Sequence, residues 1–376
     1  MSANKYYEMI KRTPLIGRKE INAVKAVLRS EQLSGFRGSA DGNLGGKKVQ
    51  ELESLFCDYF KVKYAVSMNS ATACLHSACV ALEVSNCDVI TTPLTFSATA
   101  SSILMAGGTP VFADVQPDIF CLDPLRIKPT VQVGAILVVH LHGHPADMAR
   151  LKFVADHYGL WLIEDASQAI GATYDGKYVG TIGDCGIFSF NQWKQISCGE
   201  GGIFITNNET IAQTARLVRN HGETQSDILG YNYRMTEVEA AIMVEQFKKL
   251  NWFLSVRREL AEYLTELLKD TGLGLPVVYP NCTHSWYTYP IVVPKIRDKL
   301  QEELLREGVY FGRGGMKPLY YYPFYKKYGG DFPICEDYYR DVMFTDVIRP
   351  QATMRDMRFI ARKIKEALWR IDTSAR

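Results

Sequence analysis

Apolar positions along the chain follow two different periods, and their alternation outlines an architecture. Short, nearly unbroken apolar runs occur at 64–68, 89–92, 110–114, 134–141, 160–164, 187–190 and 203–206. A run without polar alternation predicts a strand buried on both faces, as in a parallel sheet. Segments with apolar residues at helical spacing stand among them, at 48–60, directly after Ser70, at 96–105 and at 148–157. Strands separated by helices predict a mainly parallel sheet sandwiched between helices, an α/β domain. An amphipathic helix at 19–29 and a glycine-rich loop at 34–46 precede it. A loop of that length is either a binding element or a mobile one.

After Gly222 the pattern changes. Helices are predicted at 236–249, 253–269, 298–307 and 354–369, with a strand at 287–293 and a tyrosine- and proline-rich loop at 318–333. These elements read as a smaller α+β domain. The expected division is an N-terminal segment plus large domain, 1–250, and a small C-terminal domain, 251–376. A chain of 376 residues is long enough for both cores.

Composition narrows the function. The hydrophobic fraction is 47% and the charged fraction 22%, ordinary for a globular protein in water. With 43 basic against 41 acidic residues, scattered rather than gathered in a stripe, a nucleic-acid partner is not expected. The longest apolar stretch, 133–141, is too short to span a bilayer, and the first residues lack the apolar run of a signal peptide. The nine cysteines are odd in number and show no paired metal-type spacing, so they read as reduced core thiols of a cytoplasmic protein.

Candidate chemistry lies where predicted strands end, because ligands of parallel sheets collect beyond the carboxyl ends of the strands. Lys194 stands between an apolar strand and the glycines Gly199, Gly201 and Gly202. A lysine amine shielded from bulk water on such a turn is a nucleophile toward carbonyls. Another apolar strand runs into Asp165. A shielded lysine that forms a Schiff base, with a carboxylate that keeps a pyridine nitrogen protonated, is what pyridoxal phosphate chemistry needs. Asn69-Ser70-Ala71-Thr72 follows a strand and opens a helix, which suits a phosphate. Phe96 can lay its face on a planar ring, Gln168 sits one helical turn beyond Asp165, and Ser189 offers a further hydroxyl to a phosphate. Plain structural roles stand beside each reading: an N-cap, a core phenylalanine, a capping aspartate, a surface lysine.

His140, His142 and His144 would share one face of a strand. Gly143 and Pro145 break the strand there, and no carboxylate or thiolate stands next to the histidines in sequence. They read as cavity-lining or hydrogen-bonded residues rather than zinc ligands, and no metal is expected.

Taken in order, these motifs resemble a known family. Thr13-Pro14-Leu15-Ile16-Gly17-Arg18, Asn69-Ser70-Ala71-Thr72, Pro93-Leu94-Thr95-Phe96, His140-Leu141-His142-Gly143, Glu164-Asp165-Ala166-Ser167-Gln168, Gly199-Glu200-Gly201-Gly202 and Tyr231-Asn232-Tyr233-Arg234 cover nearly the whole chain. They resemble the DegT/DnrJ/StrS nucleotide-sugar aminotransferases, which have the fold-type I architecture of pyridoxal phosphate enzymes. The resemblance implies that Lys194 carries the cofactor and then moves the proton, while Asp165 pairs with the pyridine nitrogen. It implies that Gln168 meets the ring hydroxyl, that Phe96 stacks on the ring, and that Ala71 (through its backbone), Thr72 and Ser189 hold the phosphate. Asn232 would reach the phosphate of the neighbouring subunit's cofactor, making the active site part of a homodimer. The implied reaction moves an amino group from L-glutamate to a 3- or 4-keto deoxysugar on a nucleoside diphosphate, as in deoxysugar and polysaccharide biosynthesis. Three segments depart from the family pattern: the longer loop at 36–46, the run Tyr320-Tyr321-Tyr322-Pro323-Phe324-Tyr325, and the stretch Phe344-Thr345-Asp346-Val347-Ile348-Arg349-Pro350.

Two other readings keep the same fold. A sugar dehydratase of this group would carry histidine where Lys194 stands, and no cysteine run for an iron–sulfur cluster is present. A regulatory protein that had lost catalysis would lack the lysine, the aspartate or the phosphate ligands, all of which this chain retains.

Overall fold

The computed structural model describes residues 15–37, 41–223, 228–313 and 317–374. The first residues, read above for a leader, and positions 38–40 of the glycine-rich loop lie outside them. Helix α1 (Arg18–Ser30) packs beside α7 (Glu237–Phe247). The large domain then runs α2 (Lys47–Phe60), β1 (Tyr64–Met68), α3 (Ala71–Ala81), β2 (Asp88–Thr91), α4 (Ser97–Met105), β3 (Thr109–Phe112), β4 (Val133–Val139), α5 (Met148–Tyr158), β5 (Trp161–Asp165), β6 (Cys185–Ser189), β7 (Gly202–Thr206) and α6 (Glu209–Arg219). It continues through α7 into α8 (Leu250–Leu268).

These strands form one seven-stranded sheet in the order β1-β7-β6-β5-β4-β2-β3. Strand β7 is antiparallel to both its neighbours, and the other ladders are parallel. The prediction of a mainly parallel, doubly covered sheet holds, because every strand interior reads as apolar. Register then places the chemistry. Val139 pairs with Asp165, and Asp165 with Ile187, so β4, β5 and β6 leave the sheet at one edge. Gly202 pairs with Met68 on one side and Ser189 on the other, which draws the start of α3 toward the end of β6. A Cβ on Gly202 would lie 2.5 Å from the amide nitrogen of Ala71, so only glycine permits that approach.

One face of the sheet is sealed by an aromatic stack. The ring of Phe56 lies 4.4 Å from Phe247 and 5.5 Å from Phe190, centroid to centroid, and Phe60 lies 4.7 Å from Phe188. Phe56 is fully buried, and its truncation to alanine costs about 3–5 kcal/mol. The cores change over inside α8: Phe253 and Leu254 belong to the large-domain core, Leu260, Leu264 and Leu268 to the next one.

That second core is covered by a three-stranded antiparallel sheet of β8 (Tyr289–Val292), β9 (Gly312–Arg313) and β10 (Val342–Thr345), with β10 in the middle. Helices α9 (Arg297–Arg306) and α11 (Met354–Ser374) complete it, whereas α10 (Pro333–Asp341) packs its buried Cys335 and Tyr338 into the large-domain core beside Phe120 and Leu141. Helices α6 and α10 and strands β9 and β10 escaped the reading of the sequence. Helix α6 lies in the stretch before Gly222, where no helix was expected, although its Asn208 side chain caps it on the amide of Ile211. Helix α10 and strand β10 fill the stretch between the tyrosine-rich loop and the last helix. Their tyrosines and charged residues mask the helical period, and β10 is too short to register as a pattern. All nine cysteines are free thiols, six of them buried.

Candidate active site

A cavity of about 420 Å³ opens where the strands of the large sheet end. Its walls include Ala71 and Thr72 from the start of α3, Phe96 before α4, Asp165 at the end of β5, Gln168 just beyond, Ser189 at the end of β6, and Lys194 in the β6–β7 connection. Seven of the eight residues singled out from sequence therefore meet in one place. The eighth, Asn232, is exposed and outside this lining. Its carbonyl accepts from Asn69 Nδ2 at 3.2 Å and its Oδ1 from Arg234 Nε at 3.0 Å, so it sits beside the α3 start but faces elsewhere.

Each wall has a local cause. Ser70 caps α3 by accepting the amide of Ala73 at 3.1 Å, and the first amides of the helix, at Ala71 and Thr72, have no intrahelical acceptor. Phe96 is 66% exposed, a phenyl face at the cavity mouth rather than a core residue. Asp165 is buried, with Oδ2 accepting from Thr99 Oγ1 at 2.9 Å and Oδ1 from the Ser167 amide at 3.1 Å. Oε1 of Gln168 accepts the His142 amide at 2.9 Å, which leaves the side-chain NH2 for the cavity. Lys194 is half-buried, with Nζ 4.3 Å from the ring centroid of Tyr287.

The residue before Asp165 anchors the strand end. Buried Glu164 accepts from the amides of Gly180, Ile182 and Gly183 at 2.7, 2.7 and 2.6 Å, and pairs with His140 Nε2 at 3.0 Å. His140 Nδ1 accepts from the Ala146 amide, so its proton sits on Nε2 and points at Glu164. A buried carboxylate with this many donors is a rigid peg, and the next residue, Asp165, inherits its rigidity.

The histidines take the cavity-lining and hydrogen-bonded places read from the sequence, with His142 in the cavity wall. The strand ends at Val139, and 140–144 form a tight turn with His142 in the left-handed region at φ 57°. The three rings therefore do not share a strand face. His142 bonds Thr288 Oγ1 and Tyr338 OH, and His144 bonds the Pro145 carbonyl and the Tyr279 amide. Burial pushes His142 down to about 3 and His144 down to about 4, so both rings are neutral structural elements. Among the described residues no group of three or more histidines, cysteines and carboxylates is placed to hold a metal ion.

The cavity also contains residues that sequence reasoning missed: Thr95, Thr99, Ser167, Tyr287, Thr288 and Phe344. The last three come from the small domain and reach the site only through its docking. Local sequence carries no signal for that. Thr99 and Ser167 lay inside quoted motifs or one turn beyond them and were legible in principle.

Sheet order, strand-end cavity and appended small domain define a fold-type I transferase of the pyridoxal phosphate class. The model of the DegT/DnrJ/EryC1/StrS aminotransferase family matches residues 14–365, and the chain belongs to that family. The UDP-4-amino-4,6-dideoxy-N-acetyl-beta-L-altrosamine transaminase of Campylobacter jejuni is similar at 35% identity, covering 86% of this chain and 88% of its own. The pleiotropic regulatory protein of Geobacillus stearothermophilus is also 35% identical, over 85% of this chain and 89% of its own. The crystal structure of an aminotransferase from Psychrobacter cryohalolentis superposes with a TM-score of 0.87 at 28% identity, covering 95% of this chain and 98% of that one.

Aminotransferases of this family use pyridoxal phosphate, and the residues present fit it. Unpaired helix amides beside two hydroxyls suit a phosphate, and an exposed phenyl face suits a ring. The Ser167 hydroxyl is buried in the cavity wall with no partner among the described residues, a polar group that a bound ligand would cover or satisfy.

Proposed function

We propose that this chain transfers an amino group from L-glutamate to a 3- or 4-keto deoxysugar carried on a nucleoside diphosphate. Convergence of Lys194 and Asp165 on one cavity, with Gln168, Phe96, Ser189 and the α3 amides around them, supports the reading best. When bound, pyridoxal phosphate supplies an electrophilic carbon and a ring that accepts electrons. The protein's own groups do the rest. The amides of Ala71 and Thr72 and the hydroxyls of Thr72 and Ser189 donate to the phosphate. Phe96 covers one face of the ring, the Gln168 NH2 donates to the ring oxygen, and Asp165 accepts from a protonated ring nitrogen. Lys194 Nζ takes the proton from Cα of the amino donor and later returns one to the former carbonyl carbon of the sugar.

In this reading the active unit is a cytoplasmic homodimer. Asn232, facing out of its own cavity, would donate to the phosphate in the partner's. Among the described residues no helix is long and apolar enough to cross a membrane. The division at residue 250 belongs to the same proposal, with the small domain closing the site through Tyr287, Thr288 and Phe344.

The test is the absorbance of protein purified with pyridoxal phosphate, before and after glutamate. A band at roughly 410–430 nm that moves to roughly 330 nm supports the donor half-reaction, after which keto-sugar nucleotides are screened as acceptors. A band that glutamate leaves unchanged removes glutamate as the donor. The regulatory relative keeps a second reading in view, a protein of this fold without turnover; absence of any band would favour it.

A further inference from the structure

The carboxylate at the end of β5 is held by more than its own strand. Thr99, fully buried on α4, places Oγ1 2.9 Å from Asp165 Oδ2. Thr95, 2% exposed, places its own Oγ1 2.8 Å from that of Thr99. The direction of this chain follows from chemistry. An ionised carboxylate only accepts, so Thr99 spends its single proton on Asp165, and Thr95 must donate to Thr99. The other oxygen, Oδ1, is fixed by the Ser167 amide at 3.1 Å. Both oxygens of Asp165 are thus pinned, one by backbone and one by a threonine pair from a different element.

We infer that Thr99 is a positioning residue for Asp165, and that Thr95 backs it by fixing the direction of its hydroxyl. This rests on the reading of the cavity as a pyridoxal phosphate site. A carboxylate pinned at both oxygens meets a ring nitrogen in one geometry, with no rearrangement as charge on the ring changes. Loss of the Thr99 hydroxyl leaves Oδ2 buried without its donor and free to turn away from that geometry. Thr95 lies one step further out, so its loss leaves the Thr99–Asp165 bond in place but unsupported. Thr95 also lines the cavity, and with its proton committed inward it presents only acceptor lone pairs there.

The experiment uses the cofactor-loaded enzyme and the variants Thr99→Val, Thr99→Ser and Thr95→Val. Valine keeps the shape of threonine without the hydroxyl. Expected for Thr99→Val are an altered pH titration of the visible band, roughly tenfold weaker retention of pyridoxal phosphate, and a roughly tenfold lower kcat with KM little changed, the scale of one lost charge-assisted hydrogen bond. Thr99→Ser restores all three, and Thr95→Val shows a smaller change in the same direction. A Thr99→Val enzyme with wild-type titration, retention and kcat overturns the inference. So does a Thr99→Ser enzyme as impaired as the valine variant, because only packing would then matter. Should the wild-type protein show no cofactor band, the functional proposal fails first, and that result is separable from any comparison among variants.

Discussion

The ε-amine of Lys194 lies 4.3 Å from the centroid of the Tyr287 ring, a contact between the large domain and the segment that enters the small one. The Tyr287 amide donates to the His142 carbonyl at 3.0 Å, which fixes the backbone that carries the ring. An aromatic face attracts a cation placed over it. Tyr287→Phe keeps the face and is expected to keep kcat within about twofold, whereas Tyr287→Leu loses roughly tenfold, the scale of a partly desolvated cation–π contact. Steady-state kinetics of the pair decide it, and equal losses would mean that the hydroxyl matters instead.

Lys194→Ala is expected to abolish transamination while the melting temperature changes by no more than a few degrees. Its side chain is half-buried and lines the cavity. Amino transfer assayed with glutamate, alongside a thermal melt, checks both halves. An active Lys194→Ala enzyme refutes the mechanism.

Asn232→Ala is expected to weaken retention of pyridoxal phosphate without disturbing the cavity of its own subunit, since Asn232 lies outside that lining. Dialysis followed by absorbance measures the retention. Unchanged affinity would remove the shared-site proposal and leave the remaining phosphate ligands standing.

Gly202→Ala tests the close approach of β7 to α3. The added Cβ would sit 2.5 Å from the Ala71 nitrogen and 2.7 Å from its Cα, both backbone atoms that cannot swing aside. Displacement of the α3 start should cost about 1–3 kcal/mol of stability, the usual cost of forced overpacking, and loosen the phosphate site with it. Chemical denaturation and cofactor retention should fall together; a stable variant with intact retention contradicts the account.

Acid should destabilise the fold through the buried histidines in and behind the cavity wall. His142 and His144 have folded values pushed down to about 3 and about 4 from 6.5, and burial also holds His284 well below its ordinary range. Because the folded values are depressed, the unfolded chain takes up protons first as pH falls through 6.5. Below that pH each of His142 and His144 removes about 1.4 kcal/mol of stability per pH unit, until its folded value is reached. Denaturant unfolding at pH 7 and pH 5 measures the slope. A His144→Gln variant with an undiminished slope would exclude that ring as a contributor.

Local sequence was enough to read the large sheet. Its strands are continuous apolar runs and its helices carry a clear period, so alternation and strand ends could be seen without any contact being known. Lys194, Asp165, Phe96 and Ser189 stood out for the same reason: each stands at or just beyond the end of a recognisable strand. Helix α6, helix α10 and strands β9 and β10 were not legible, being short or masked by polar and aromatic residues that gain their meaning only from what they pack against. The left-handed turn at His142 was hidden too, because its ring partners Thr288 and Tyr338 are distant in sequence.

The order of apolar and polar residues, by itself, determined a parallel α/β sheet, the edge at which chemistry collects and the residue types that stand there, because strand burial and strand ends are local properties. Tertiary structure alone decided how these residues meet. The register that aligns Val139, Asp165 and Ile187, the glycine contact that brings Ser189 to Ala71, the Thr95–Thr99 pair behind Asp165 and the arrival of Tyr287 and Phe344 from the small domain all depend on contacts between distant segments. Such contacts are set by how whole elements pack, and no window of neighbouring residues contains them.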